Sequence, residues 1–443
     1  MNFLNNIKNA IQWVENNSTN EFMFISSNNK TAYNEVTGYF IPTLINYGIK
    51  NKAASFAKYL SSIQREDGSW GDSERRGQAF SFDVAQIIDG LSEFKPIYTK
   101  EIDMASRWVI KNINNNRYPS PDVKDHCDMR ILYCLSKAGI DIGKDIAIYV
   151  NNGGIYEFDV LSHMYGYAFE SCARLGLDCS PFINKALSYG GLIPERNNYS
   201  TYCFTGLSQF ALSFFLCGQF DLGMKNLEFV SLFQNPSGGF YGSNGVYLRN
   251  EEISWAVKFY LDAFWECQKL WFVKNLHIFP DRFEGGMDDK RLNFIKGNIK
   301  SADKVLEVGC GKGRYINNLD CERYACDIAD ASKYINGKFL IGSCLNLPFD
   351  DKTFDVVFCS ESLEHAIVIE NAIRECRRVL KDGGLLLIVD KNKKTKTAET
   401  LHFGEEWLDF DYLKKSYGAE VIEIIDNKLA YPFYGARMIK YDK

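Results

Sequence analysis

The nine residues Val305-Leu306-Glu307-Val308-Gly309-Cys310-Gly311-Lys312-Gly313 constrain this chain more than any other stretch. Val305 to Val308 reads as a short buried strand, and the glycines let the backbone turn sharply toward a helix beginning near Arg314. A strand running through such a turn into a helix opens a βαβ unit, where backbone approaches a ligand at the strand's carboxyl end. The spacing is Gly-x-Gly-x-Gly with Glu307 two residues ahead of it, whereas a dinucleotide pyrophosphate site uses Gly-x-Gly-x-x-Gly. The ligand is therefore expected to differ from a dinucleotide.

From there onward, short apolar runs alternate with helical patterns. Strands are expected at 304–308, 323–326, 339–341, 356–359, 385–389, 421–425 and 436–441. Alternation of that kind predicts a Rossmann-like, doubly wound sheet. The last run follows its predecessor after a short link, which predicts an antiparallel edge strand.

The first part has another rhythm. Apolar residues return at helical steps in 39–45, 54–63, 84–91, 131–135, 165–175, 204–216 and 253–265. Between these helices one turn type recurs at 64–71, 151–156, 189–194 and 234–242, with a degenerate copy at Asn115-Asn116-Arg117-Tyr118-Pro119. Repeats of helical-hairpin length, about 35 to 50 residues, imply roughly six hairpins that can close a ring. The predicted organisation is multidomain, α followed by α/β: a helical repeat domain at 1–275, a linker at 276–300 and the sheet domain at 301–443. A chain of 443 residues commonly divides in this way.

Composition narrows the partners. A net charge of −5 with no basic patch argues against nucleic acid, and no apolar run reaches membrane-spanning length. The amino terminus lacks a secretory pattern and thirteen cysteines lack framework spacing, so a cytoplasmic protein with reduced thiols is expected. Nothing in the sequence sets the oligomeric state.

The glycine loop, its preceding acid and the later strand ends together resemble class I S-adenosylmethionine-dependent methyltransferases of the type 11 kind. The resemblance implies S-adenosyl-L-methionine as cofactor, held by Glu307, Gly309, Cys310, Gly311 and Gly313 at its methionine part. Glu307 would face the amino group. Asp327, with Ile328 beside it, would take the ribose hydroxyls, and Ser343, Cys344 and Leu345 would meet the adenine. Family members often carry an acid where Ser343 or Cys344 stands, so this contact is expected to be weaker or differently made. Ser360 would line the cofactor at the fourth strand's exit.

His365, just past that strand, is the candidate catalytic base for a hydroxyl acceptor. An alternative uses Glu361, Glu364, His365 and His402 as divalent-metal ligands, because Glu-x-x-Glu-His resembles a stretch of ubiquinone-pathway and small-RNA O-methyltransferases. The primary expectation is no metal.

The Gln-x-x-Asp-Gly-Ser-Trp and Gln-x-x-x-Gly-Gly-Phe loops resemble the α/α toroid of the terpene cyclase and protein prenyltransferase superfamily. The Asp-x-Asp-Asp motif of its cyclases is missing. Asp125, His126, Cys127 and His163 resemble its zinc ligands only loosely. Aromatics beside carboxylates in the helical half suit carbohydrate, and chains of this kind look similar to proteins of bacterial surface-glycan or secondary-metabolite pathways. The expected reaction is O-methylation of a sugar, nucleotide sugar or lipid-linked glycan, the toroid recognising this small-molecule or glycan acceptor. Alternatives are a toroid with its own lyase or cyclase activity, and a toroid that binds a partner without catalysis.

Overall fold

The computed structural model describes residues 3–71, 77–112, 124–281, 289–395, 404–424 and 432–441. The turn expected at Asn115–Pro119 and the candidate ligand His402 lie outside the described residues. The chain divides into two units, Met1–Ile45 with Ile49–Leu270, and Asn46–Gly48 with Trp271–Lys443.

The first unit is helical. Its α-helices are α1 (Phe3–Asn16), α2 (Asn34–Asn46), α3 (Lys50–Ser62), α4 (Ser81–Leu91), α5 (Lys95–Asn112), α6 (Lys124–Lys137), α7 (Gly143–Asn152), α8 (Ser162–Arg174), α9 (Ser180–Ser188), α10 (Phe204–Leu216), α11 (Phe220–Ser231) and α12 (Ser254–Asn275). They alternate in character. Every residue of α4 is buried, as is nearly all of α10, which only neighbours on every side can achieve. By contrast α3 buries one stripe, Ala53, Phe56, Ala57 and Leu60.

The enclosed helices touch in sequence order. A Cβ on Gly38 of α2 would come 2.6 Å from Cα of Ile87 in α4. Arg130 of α6 donates to Gln86 and Asp89 of α4 and to Glu170 of α8, and His163 of α8 pairs with Gln209 of α10 at 2.6 Å. Thr43 of α2 donates to Asp262 of α12 at 2.7 Å.

The recurring turn is built the same way at both ends of this unit. Gln64 Nε2 donates to the carbonyls of Gly68 and of Glu101 in α5, at 3.0 and 2.9 Å. Gln234 Nε2 donates to the carbonyls of Gly238 and of Asn6 in α1, at 2.9 and 2.8 Å. Gly68 and Gly238 have φ of +94° and +92°, and a side chain on either would collide with the carbonyl of Met104 or of Asn9. The turn after α3 therefore seats on α5, and the turn after α11 seats on the first helix.

The second unit holds a seven-stranded sheet of β1 (Lys304–Val308), β2 (Glu322–Asp327), β3 (Lys338–Ile341), β4 (Phe354–Ser360), β5 (Leu380–Lys391), β6 (Glu420–Ile424) and β7 (Phe433–Ile439), ordered β3-β2-β1-β4-β5-β7-β6. β1 to β5 pair in parallel; β7 runs antiparallel to both β5 and β6. The last strand was expected at the edge, but it is inserted between its two neighbours. Burial accounts for this: Phe433, Gly435, Ala436 and Met438 tolerate an interior position, while β6 exposes Glu420, Ile422 and Glu423.

Within residues 276–300, α13 (Asp289–Lys296) seats Leu292 and Ile295 in the sheet's core. One further expectation changes. No α-helix follows the glycine loop. A short 3-10 turn at Ile316–Asn318 takes its place, after a loop in which Gly309, Gly311 and Gly313, at alternate positions, all have positive φ. The sheet's other flank carries α14 (Ile369–Val379), and α15 (Phe410–Tyr417) precedes β6. All thirteen cysteines are free. Among the described residues no helix is long and apolar enough to cross a membrane.

Candidate active site

β1 and β2 pair in register from Lys304 and Glu322 to Val308 and Cys326, so their carboxyl ends lie side by side. The loop after β1 is then tied onto the end of β2. The amides of Gly309 and Cys310 donate to the Cys326 carbonyl at 2.8 and 3.2 Å, and the Gly311 amide donates to Asp327 Oδ2 at 2.8 Å. Gly309, Gly311 and Gly313 all have positive φ, which explains glycine at each. Gly309 is further restricted because an added Cβ would collide with Cβ of Ser362.

Asp327 Oδ1 accepts the Ala329 amide at 3.0 Å. Each carboxylate oxygen retains a second lone pair, so this acid can still receive a ligand's hydroxyls. Burial holds Asp327 above its ordinary value, opposed by the backbone amides it accepts. Its carbonyl accepts the Gly342 amide at 2.9 Å, which brings the exit of β3 beside it. There Ser343 closes a tight turn, its Oγ accepting the Leu345 amide at 3.1 Å and its carbonyl the Asn346 amide at 2.9 Å. Ile328 follows Asp327 directly, half-buried.

Glu307 is 1% exposed and accepts one hydrogen bond, from the Ile316 amide at 3.0 Å. Burial lifts its carboxyl to about 8, partly opposed by that amide and by Arg314. An unpaired buried acid at the loop is what an ammonium-bearing ligand would ionise and pair. The residues present thus fit the methionine end of S-adenosylmethionine.

The exit of β4 joins the same end of the sheet. Ser362 Oγ donates to the Val308 carbonyl at 2.8 Å, and the Glu361 amide donates to the Val389 carbonyl at 2.9 Å. Glu361 has φ of +52°, uncommon outside glycine. Burial acts upward on its carboxyl, but Arg291 and Arg314 outweigh it and hold Glu361 below its ordinary value. Ser360, at the end of β4, is buried.

His365 lies in a 3-10 turn at Leu363–His365, its ring edge-on to Phe272 at 5.1 Å and its Nε2 3.7 Å from Glu364 Oε1. The sheet thus gathers Glu307, Gly309 to Gly313, Asp327, Ile328, Ser343 to Leu345, Ser360 and His365 at the carboxyl ends of its parallel strands. Glu361 and Glu364 face separate partners, arginines and Lys391 respectively. Among the described residues no group of three or more His, Cys, Asp or Glu side chains could hold a metal. In the helical unit, likewise, His126 bonds the Glu157 carbonyl and His163 bonds Gln209.

Sequence reasoning missed Arg291 and Arg314 on Glu361, Ser362 against Gly309, and the partners of Glu364. Of these only Arg314 carries any local signal, as a basic residue just after the glycine loop.

The family model for a methyltransferase domain matches residues 306–388, the span from β1 to β5. The C-terminal part of the chain is a class I S-adenosylmethionine-dependent methyltransferase domain, and the chain belongs to that family. An uncharacterized protein of Methanocaldococcus jannaschii is 34% identical over 164 residues, 36% of this chain and 69% of that protein. Sterol 4-C-methyltransferase of Caenorhabditis elegans is 27% identical over 145 residues, 27% of this chain and 42% of that enzyme. A solved Thermotoga maritima protein, described as a SAM-dependent methyltransferase and possible histamine N-methyltransferase, is 20% identical with a TM-score of 0.30. That match covers 38% of this chain and 93% of the other. The chain spans less than half the length of the nematode enzyme.

Proposed function

We propose that the chain methylates a hydroxyl of a sugar, nucleotide sugar or lipid-linked glycan, with the helical unit recognising the acceptor. The observation that carries this is the position of His365, beside Glu364 at the exit of β4. An in-line transfer from a sulfonium needs alignment and, for a hydroxyl, a base that takes the proton as the bond forms. Glu307 holds the cofactor's amino group, Asp327 its ribose and the Ser343 turn its adenine. The bound cofactor supplies the electrophilic methyl. No divalent ion is needed in this reading.

We further infer that the helical unit is a ring of six hairpins, an α/α toroid. The seating of the turn after α11 on α1, as the turn after α3 sits on α5, supports closure. Tyr39, Phe82, His163, Tyr167 and Phe259 pack together with centroids 4.7 to 6.2 Å apart in the enclosed helices. A centre so filled disfavours a cyclase cavity. The sterol activity of the nematode relative is not carried over, because the match covers 27% of this chain and 42% of that enzyme.

Incubation with methyl-labelled S-adenosylmethionine and panels of sugars, nucleotide sugars, lipid-linked glycans, sterols and amines tests the reading. Label on a glycan hydroxyl is expected. Label confined to a sterol or an amine would overturn it.

A further inference from the structure

In the helical unit a cavity of about 470 Å³ lies among the start of α10, the end of α11 and the loop that follows it. Its lining includes Phe204, Phe233, Asn235, Tyr241, Asn244 and Arg249. Phe204 and Phe233 stack with centroids 4.7 Å apart. Tyr241 is 38% exposed and Leu232, also in the lining, 67%, so an apolar surface stands open to solvent beside polar groups.

Two donor side chains stand at the opening. Asn244 is exposed, its Oδ1 accepting the Tyr202 amide at 2.7 Å and its NH2 group facing no acceptor among the described residues. Arg249 is exposed, makes no ion pair among the described residues and is the only charged side chain in the lining. Neutral amides both donate and accept, which suits hydroxyls; a guanidinium pairs two-pronged with a carboxylate; an aromatic face suits the C–H surface of a sugar ring.

We propose that this cavity binds an acidic sugar unit of the uronic acid kind, with Arg249 on its carboxylate, Asn244 on a ring hydroxyl and Tyr241 against the ring. The inference rests on the glycan reading of the acceptor and adds the charge that the sugar must carry.

The test titrates the full chain with trigalacturonate and with the neutral galactose trimer of the same linkage, followed by ligand-observed NMR. Trigalacturonate is expected to bind about tenfold tighter than the neutral trimer, and Arg249→Gln to remove that difference. Tyr241→Ala should weaken both trimers alike. Arg249 is exposed, so its replacement leaves folding intact, which circular dichroism checks. Equal affinity for the two trimers, absence of binding, or indifference to Arg249→Gln would each overturn the proposal. Methyl transfer to a neutral glycan alone would also overturn it while leaving the proposed function standing. Trigalacturonate binding without methyl transfer would support the cavity and tell against that function.

Discussion

Nζ of Lys391 lies 2.6 Å from Oε2 of Glu364 and 2.8 Å from Oε1 of Glu405, with Asp390 next to it in the chain and all four side chains nearly dry. Three carboxylates cannot all ionise around one ammonium in such a site. Burial pushes Glu364 well above its ordinary value and Asp390 up to about 7. A carboxyl whose folded value is raised favours folding while protonated. That contribution is present below the unfolded value and is lost as pH rises through the folded one. For Asp390 the window runs from 3.8 to about 7. Asp390→Asn should therefore flatten the fall in stability across that window and leave the protein more stable at about pH 8. Urea unfolding at several pH values reads this; an unchanged slope would sink it.

Gly309 carries two separable constraints, its φ of +71° and the Ser362 side chain against it. Gly309→Ala should cost about 1–3 kcal/mol from the backbone alone and weaken S-adenosylmethionine binding at least about tenfold. Combining it with Ser362→Gly relieves the collision but not the strained φ. The double variant should regain part of the affinity, measured by calorimetric titration, and full recovery would refute the backbone share.

In the helical unit, Arg130 is fully enclosed between Asp89 and Glu170 at 3.0 and 3.1 Å. Burial acts upward on Glu170, but Arg130 and Arg174 outweigh it and bring it down to about 2. Arg130→Met would take one of two cations from each acid, leaving Asp89 to Lys137 and Glu170 to Arg174, and should cost up to about 3 kcal/mol, seen as a lower unfolding midpoint. The variant's deficit should shrink as pH falls from about 4.5 toward 2, because protonation of Glu170 removes its under-compensated charge in the variant and its pair with Arg130 in the parent. A deficit independent of pH would mean that lost packing dominates.

The cofactor loop was legible because its chemistry sits within nine residues: strand, acid and glycines must follow one another to bring backbone onto a ligand. The position of Asp327, at the end of β2 beside that loop, was legible for the same reason, one strand later. Contacts across distant chain segments were not. Arg291 reaches Glu361 over 70 residues, and Lys391 gathers Glu364 and Glu405 from either side in sequence. No local pattern encodes such meetings. The position of β7 was missed because edge or interior is decided by which strand β5 accepts as partner, a choice made by burial and not by link length. The turn after β1 was misread as a helix start because helical spacing resumes only weakly beyond Gly313.

With Glu307 on the cofactor's amino group, as proposed, cofactor binding should depend on pH. With burial lifting the Glu307 carboxyl to about 8, the acid is largely neutral at pH 6 to 7. Pairing with an ammonium requires the carboxylate, so binding must first release a proton. Affinity for S-adenosylmethionine should therefore rise toward about tenfold per pH unit below that value and level off above it. The cofactor's own amino group loses its proton near 7.7–8.0, about the same region, and confines a clean reading to pH 6 to about 7.5. Glu307→Gln, nearly the same size, keeps the hydrogen bond from Ile316 and removes the titration. It should bind more weakly at pH 7.5 yet show almost no slope. Calorimetry in two buffers of different ionisation enthalpy adds an independent reading, because proton release on binding should appear in the parent and vanish in the variant. An equally steep slope in both would show that the proton is lost elsewhere, and Glu307 would then be a structural acid beneath the loop.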